Sequence, residues 1–443
     1  MSGLALSQRT LAGALERRAQ DNPYGLAVSH PSVQWTWTDL AVRVDEVATE
    51  LRDRKPGERV YVDAGEVAAV IPKLIAAEAA RVCLVPIAGS LDGAERARRI
   101  SASEAFAGPA PGLLIFTSGT TGEARGVRLS YTALRASASM VIQATRLQAG
   151  GSWFSALPLN HVGGIGVVFR CVLAGATMCL RDRFDPLETA QLLGSGDLTH
   201  GSFVARMLAR TLDSVAPRVP TSPALVTLMV GGGPTADRLL KRARLAGLPV
   251  RATYGMTEAA STLTLEREDG PFEPPSAGVP LPGVEIRLGD DEVIEVRSPA
   301  LMAGYDPPHD QLVAGEWLRT NDVGRLLPDG RLVVLDRRSD LIVSGGENVS
   351  PVRVETVLNS DTEVVEAAVI GVQDSSWGQR VVAVVRFADG VGAEEERLTA
   401  LAARVRPLLA PHERPKSWRV VATPLPRNGL GKLLRRRLQE ALD

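Results

Sequence analysis

Short apolar runs and amphipathic stretches alternate along most of this chain, and their two periods predict alternating strands and helices. Leu113-Leu114-Ile115-Phe116 reads as a buried strand, as do Val82–Pro86, Trp153–Leu157, Leu225–Val230 and Val250–Thr253. Leu40–Leu51, Val67–Ala80, Leu187–Leu193 and Ala236–Ala246 carry helical spacing, and Thr36–Asp39 reads as a short strand leading into the first of them. Such βα alternation predicts a mainly parallel α/β sheet. The pattern changes from Gly278 to Leu335. There Val284–Leu288, Glu292–Val296 and Leu332–Leu335 alternate with Gly, Pro and Asp turns, as in a small β subdomain. After Ser339 a compact α+β unit is predicted: a helix over Val352–Leu358, a hairpin from Val364–Val372 and Gln379–Ala388, and a helix over Glu394–Leu409. The expected fold class is therefore α/β. Residues 1–338 form a large N-terminal domain of mainly parallel α/β sheets plus a small β subdomain, and residues 339–443 form a small α+β C-terminal domain.

Composition narrows the function classes. A net charge of −1 gives no sign of a nucleic-acid or membrane partner. The three cysteines form no C-x-x-C pair, and the five histidines are scattered, so no zinc site is suggested. The thiols Cys83, Cys171 and Cys179 read as reduced core residues. Gln8–Gln20 is amphipathic and not the apolar core of a signal peptide. The longest apolar stretches are broken by Pro72, Lys73 or glycines well before the roughly 18 residues a membrane span needs. A soluble, cytoplasmic chain without membrane insertion is expected, with a homodimer left open.

Candidate chemistry centres on Thr117-Ser118-Gly119-Thr120-Thr121-Gly122-Glu123-Ala124-Arg125-Gly126, which follows the first apolar run. Four hydroxyls and three glycines in ten residues suit a loop that turns backbone N–H groups inward around an anion. The glycines would let the backbone come close to a phosphate. The G-x-x-x-x-G-K-[ST] phosphate loop is a different pattern. Taken alone, the same residues also fit a polar turn after a strand.

Further motifs follow in order: Gly231-Gly232-Gly233-Pro234, Tyr254-Gly255-Met256-Thr257-Glu258, Trp317–Asp322, Asp336-Arg337-Arg338-Ser339-Asp340, Ser344–Asn348 and Pro426-Arg427-Asn428-Gly429-Leu430-Gly431-Lys432. In this order and spacing they resemble the adenylate-forming superfamily: acyl-CoA synthetases, peptide-synthetase adenylation domains and luciferases. The resemblance runs from about residue 10 to the C-terminus. It implies an enzyme that joins a carboxylic acid to a thiol, using ATP, Mg²⁺ and coenzyme A. It also implies that the C-terminal domain is mobile and changes position between two half-reactions. The chain is short for the family, with the segment between Val85 and Gly112 compressed.

The resemblance assigns roles residue by residue. Thr117, Ser118, Gly119, Thr120, Thr121, Gly122 and Arg125 would hold the β- and γ-phosphates, with Ala124-Arg125 replacing the usual Pro-Lys. Gly232 and Gly233 would pass close to the adenine, Tyr254 would give it a flat face, and Gly255 belongs to the same nucleotide contact. Thr257 would touch the α-phosphate and Glu258 would ligate Mg²⁺. Asp322 and Arg337 would reach the ribose, although Asn321 and Asp336 stand where the family usually has glycine. Asp336, if buried, needs a partner that the sequence does not name. Ser339 takes the hinge position, Gly345 and Gly346 would line the thiol tunnel, and Lys432 would bridge the carboxylate and α-phosphate. Each has a plainer reading: a core aromatic for Tyr254, a helix-start acid for Glu258, a turn acid for Asp322, a simple turn for Gly345-Gly346, one more cation in a basic run for Lys432.

Within the superfamily, Leu157-Pro158-Leu159-Asn160-His161-Val162-Gly163-Gly164, its continuation to Phe169-Arg170, and Tyr254–Thr262 look most like the o-succinylbenzoate–CoA ligases of menaquinone biosynthesis. That resemblance implies that His161 and Ser261 line the acyl site. It also implies that Arg170 pairs with the second carboxylate of the acid. The residues support a special role for Arg170, because Val167–Leu173 is otherwise an apolar helix and a guanidinium inside it needs an anion. An internal salt bridge or a snorkelling arginine are the alternatives. Rival functions are ligation of another aryl or fatty acid, adenylation for a carrier protein, and a nucleotide-binding paralogue without activity. The presence of Glu258 and Lys432 argues against the last.

Overall fold

The computed structural model describes residues 10–89, 91, 93–104, 112–118, 124–215, 219–268, 276–306, 313–314, 317–337, 340–374, 376–388, 394–427 and 433–440. The chain divides into two compact units. One comprises Met1–Arg287, Glu295–Arg319 and Pro328–Leu332; the other comprises Leu288–Ile294, Thr320–Leu327 and Val333–Asp443.

The first unit is built on a nine-stranded sheet. Leu26–His30, Thr177–Leu180, Ser152–Ser155, His200–Val204, Thr227–Gly231 and Val250–Met256 lie side by side in that order, and each neighbouring pair is parallel. The antiparallel strands Val33–Thr36 at one end and Ser261–Leu265 at the other extend it. The mainly parallel α/β expectation therefore holds. Parallel strands are covered on both faces and so read as continuous apolar runs; Trp153, Phe154, Leu228, Met229 and Val230 are all buried. Phe154, Phe203, Leu208, Leu228, Val230 and Val250 belong to one core cluster. A second sheet runs in the order Gly304–Asp306, Ala124–Leu129, Gly112–Ser118, Cys83–Ile87, Arg59–Asp63.

Local chemistry sets the boundaries. Thr36 was expected inside a strand that ran to Asp39, but the strand is Val33–Thr36 and the helix starts at Trp37. The cause is a capping box: the Asp39 amide donates to Thr36 Oγ1 (3.1 Å) and the Thr36 amide donates to Asp39 Oδ2 (2.9 Å). The helix Val162–Ala174 ends at Gly175, which takes φ +78° as its left-handed C-cap.

In the second unit, Val364–Asp374 and Gly378–Phe387 form the expected hairpin, with Ile342–Ser344 and Ser417–Val420 flanking the second strand. Val354, Val369, Val381, Val385 and Leu401 pack in its core. The helix expected to reach Leu409 stops at Val405 and tightens into a 3-10 turn over Arg406–Leu408. Pro407 has no N–H to continue the helical ladder.

Candidate active site

Three of the singled-out segments leave the same edge of the large sheet. Ser152–Ser155, His200–Val204, Thr227–Gly231 and Val250–Met256 are consecutive parallel strands, with Trp153 opposite His200, Val204 opposite Gly231 and Val230 opposite Ala252. Their carboxyl ends therefore release Leu157–His161, Gly231–Pro234 and Tyr254–Glu258 along one edge, the first separated from the other two by the end of His200–Val204. In open α/β sheets this edge is where ligands bind.

The glycines here answer to backbone crowding. A Cβ on Gly231 would stand 2.7 Å from Thr253 Cγ2, and Gly232 sits at φ +79°. Gly233 meets nothing within 4 Å, which leaves an open backbone face. At Gly255 a Cβ would fall 1.7 Å from the Ser261 carbonyl oxygen, beside the bulge between Tyr254 and Gly255. Thr257–Ala259 then forms a single 3-10 turn, followed by Ala260 at φ +50° and Ser261 at φ +113°. Non-glycine residues at such angles cost of order 1–3 kcal/mol each and persist only where neighbours hold them. Ser137 does so here, its hydroxyl donating to the Ala260 carbonyl at 2.8 Å. Tyr254, Thr257, Glu258 and Ser261 are all half-buried.

The Thr117–Gly126 stretch differs from its expected form. Gly112–Ser118 and Ala124–Leu129 pair antiparallel, with Thr117 opposite Arg125 and Ser118 opposite Ala124. Thr117, Ser118 and Arg125 are thus strand residues and not parts of one long loop. The Thr117 hydroxyl donates to the Arg125 carbonyl (3.3 Å), and Arg125 is half-buried. Gly119, Thr120, Thr121 and Gly122 lie outside the described residues. Gly126 serves packing: a Cβ there would meet Leu114 Cδ1 at 2.7 Å and the Asp306 carbonyl at 2.8 Å.

Gly304–Asp306 pairs with the outer side of Ala124–Leu129, Tyr305 opposite Val127. This strand brings in a residue that sequence reasoning missed. Tyr305 donates its phenol hydrogen to Glu258 Oε1 at 2.9 Å, and the Met302 amide donates to the Glu258 carbonyl at 2.8 Å. The hairpin and the Glu258 turn are therefore joined. The only signal in the sequence was an aromatic held between a glycine and an aspartate, Gly304-Tyr305-Asp306, which names no partner.

His161 is the N-cap residue of Val162–Ala174 but caps with no side-chain hydrogen bond. Burial, and then the nearby Arg99 cation, hold its pKa below the usual histidine value. Arg99 itself lies 5.7 Å from the centre of the Phe116 ring. Gly164 is required where the chain turns into this helix, since a Cβ would approach the Pro158 carbonyl to 2.5 Å.

Arg170 sits two turns further along, at 2% exposure. Its guanidinium lies 4.8 Å from the centre of the Trp153 ring, whose indole N–H donates to Ser202 Oγ (2.9 Å) and which stacks on His200 (5.0 Å). Gly166 leaves room for it, since a Cβ there would be 3.0 Å from Arg170 Nη2. Burial lowers the Arg170 pKa to about 10, so it remains a cation at neutral pH. Among the described residues no carboxylate forms an ion pair with it, and its Nε has no hydrogen-bond partner. A buried, unpaired cation is costly unless an anion joins it.

The second unit holds the remaining described candidates. Asp322 is buried in Trp317–Leu326, and Arg337 Nε lies 3.5 Å from its Oδ1. Asp336, at 4% exposure, has the partners the sequence left unnamed: the Ser350 hydroxyl (2.7 Å) and the Val352 amide (3.0 Å) donate to Oδ2, and the Arg337 amide (2.7 Å) donates to Oδ1. Burial raises its pKa, against the pull of these donors. Ser350 also accepts from the Arg353 amide (3.0 Å) as N-cap of Pro351–Leu358. Ser350→Ala is expected to destabilise the protein by about 1–3 kcal/mol, through loss of the cap and of one donor to a buried carboxylate. Denaturant unfolding checks it, and an unchanged midpoint would refute that role.

Gly345 and Gly346 form the two-residue turn between Ile342–Ser344 and Glu347–Val349, at φ +63° and +86°. A turn with both φ positive is the type I′ geometry that favours glycine. Ser339 and Lys432 lie outside the described residues. Arg427 and Leu433, on either side of the Lys432 segment, form an isolated antiparallel bridge, and the Leu434 amide donates to the Pro426 carbonyl at 2.9 Å.

The three cysteines are free and buried, as expected. No helix among the described residues is long and apolar enough to cross a membrane. Nor do the described residues group three or more His, Cys, Asp or Glu as a metal cage. The donor chemistry at Glu258 suits Mg²⁺ nonetheless, because that ion is usually held by one or two carboxylates together with substrate phosphates and water.

Comparison with known proteins agrees with this geometry. Residues 109–306 match the AMP-binding enzyme family, and residues 353–432 match the AMP-binding enzyme C-terminal domain. A 2-succinylbenzoate–CoA ligase of Geobacillus kaustophilus is 37% identical over 382 residues, covering 80% of this chain and 76% of the relative. Among solved structures, the o-succinylbenzoate CoA synthetase (MenE) of Bacillus subtilis in complex with its acyl-adenylate intermediate superimposes with a TM-score of 0.85 at 28% identity, over 96% of this chain and 97% of that one. The same enzyme in complex with ATP and magnesium ion gives a TM-score of 0.84 at 28% identity, over 96% and 99%. A fold shared over nearly the whole length, a sheet edge carrying the expected motifs and this level of identity lead to one conclusion: the chain belongs to the AMP-binding, adenylate-forming enzyme family.

Proposed function

We propose that this chain is an AMP-forming carboxylate–CoA ligase whose acid is o-succinylbenzoate and whose product is o-succinylbenzoyl-CoA, an intermediate of menaquinone biosynthesis. The observation that carries the choice of acid is Arg170, a buried cation for which the described residues supply no carboxylate. A substrate with a second carboxylate supplies the missing charge, and the names of the relatives point the same way.

The reaction runs in two steps. One carboxylate oxygen of the acid attacks the α-phosphorus of ATP; the bond to the bridging oxygen breaks and pyrophosphate leaves. The coenzyme A thiol, losing its proton, then attacks the acyl carbon, and AMP leaves. Such chemistry depends on positioning and charge neutralisation more than on covalent help. Thr117–Arg125 holds the terminal phosphates, and Thr257 contacts the α-phosphate. Mg²⁺ held by Glu258 would neutralise phosphate charge. Tyr254, Gly232 and Gly233 receive the adenine, and Asp322 and Arg337 the ribose. His161 and Ser261 line the acyl site, with His161 neutral and claiming no proton transfer. Lys432 serves the first step and Gly345-Gly346 the second. Residues 1–338 and 339–443 are assigned as the two domains, with Ser339 as hinge. The partners are small molecules, and the cytoplasm, where ATP and coenzyme A are found, is the assigned location.

Pyrophosphate exchange and mass spectrometry of CoA thioesters across a panel of acids test the proposal. o-Succinylbenzoyl-CoA is expected to dominate. A different acid outrunning it, or transfer only to a carrier protein, would replace the assignment. Arg125→Ala is expected to raise the KM for ATP, with Arg125→Lys recovering much of the loss, because a phosphate contact present throughout binding is removed. Unchanged ATP kinetics in the alanine variant would show that this side chain takes no part.

A further inference from the structure

We propose that Tyr305 is a positioning residue that aims the Glu258 carboxylate at the metal ion, and that the strap Met302–Asp306 sets the spacing between this carboxylate and the phosphate hairpin. The inference rests on the assignment of Glu258 as the Mg²⁺ ligand.

Four contacts carry it. The Tyr305 hydroxyl donates to Glu258 Oε1 (2.9 Å). Three residues upstream, the Met302 amide donates to the Glu258 carbonyl (2.8 Å). The Ala303 amide donates to the Arg128 carbonyl (2.8 Å), and Gly304–Asp306 then pairs with Gly126–Arg128. A single five-residue strap thus holds both the main chain and the side chain of Glu258, while it is itself laced to the returning strand of the hairpin that bears Arg125.

The chemistry explains why the phenol matters. A glutamate side chain has several free torsions, and fixing them costs conformational entropy. Mg²⁺ tolerates little departure from octahedral geometry, so a lone carboxylate that wanders binds it poorly. A phenol can donate one hydrogen bond, which occupies Oε1 and leaves Oε2 for the ion. Tyr305 is 6% exposed, so its ring is held by packing and the donor is fixed before any ligand arrives. The Glu258 turn would not hold itself: it is followed directly by Ala260 and Ser261 at positive φ. Outer partners of this kind typically change metal affinity by about 10–100-fold.

The test is direct binding of Mn²⁺, as a paramagnetic substitute for Mg²⁺, to the enzyme with a non-hydrolysable ATP analogue, followed by electron paramagnetic resonance. Tyr305→Phe keeps the ring and removes only the hydroxyl. It is expected to weaken Mn²⁺ binding by about 10-fold or more, to raise the Mg²⁺ concentration needed for pyrophosphate exchange, and to leave the KM for coenzyme A unchanged. Glu258→Gln is the reference variant. If it binds Mn²⁺ as the wild type does, the metal role of Glu258 itself is wrong. If it loses Mn²⁺ while Tyr305→Phe binds normally, only the positioning role is overturned. A second readout needs no loss of the hydroxyl: 3-fluorotyrosine placed at position 305 should show a fluorine resonance that Mn²⁺ with the analogue broadens strongly. A line that stays sharp while the metal binds would overturn the proposal independently.

Discussion

Lys432→Ala is expected to abolish acyl-adenylate formation while leaving thioester formation from supplied o-succinylbenzoyl-AMP largely intact. The lysine follows Gly429-Leu430-Gly431 in the sequence, and Arg427 and Leu433, described on either side of it, form an isolated antiparallel bridge. A cation placed where negative charge develops in a transition state is worth roughly 3–4 kcal/mol, or about 10²–10³ in rate. That benefit belongs to the attack on the α-phosphate and not to the attack of the thiol. Pyrophosphate exchange reads the first step, and a single-turnover reaction of the adenylate with coenzyme A reads the second. Arg437→Ala is the control for a merely basic tail, because Arg437 is exposed in the same run of cations; both steps should survive it. Equal loss of both steps in Lys432→Ala would remove the lysine from its assigned place.

How legible the site was depended on whether its determinants lay close in sequence. The strands Val250–Met256 and Thr227–Gly231 were visible because burial on both faces demands unbroken apolar runs. Their order was not visible: Leu26–His30 pairs with Thr177–Leu180, about 150 positions away, and no local pattern encodes that choice. The returning strand Ala124–Leu129 escaped notice because Arg125, Gly126 and Arg128 hide its alternation. Gly126 is there for Leu114 and the Asp306 carbonyl, neither of which is a sequence neighbour. Tyr305 was missed for the same reason, since its partner Glu258 is 47 residues away. Asp336 looked like an unpaired acid until the fold placed Ser350 and a helix start beside it. Motif residues declare themselves by type and spacing; the residues that hold them do so only through contacts.

Arg170→Ala is expected to act on the acid and not on ATP. If the guanidinium pairs with the distal carboxylate of o-succinylbenzoate, its removal leaves that carboxylate buried and unpaired, at a cost of roughly 2–5 kcal/mol. The KM for the diacid should rise steeply, while the values for ATP and coenzyme A change little. A monocarboxylic analogue lacking the distal acid should be nearly indifferent to the substitution, because it never used the arginine. Removal of an unpaired buried cation should also leave the empty protein no less stable through charge, although the lost packing on Trp153 works in the opposite direction. A thermal midpoint measured with and without the diacid separates these effects: ligand stabilisation should be large in the wild type and small in the variant. An arginine serving an internal salt bridge would behave otherwise, lowering stability in both states and harming every acid alike. Equal damage to diacid and monoacid, or a wild-type enzyme that prefers the monoacid, would defeat both the role of Arg170 and the choice of substrate.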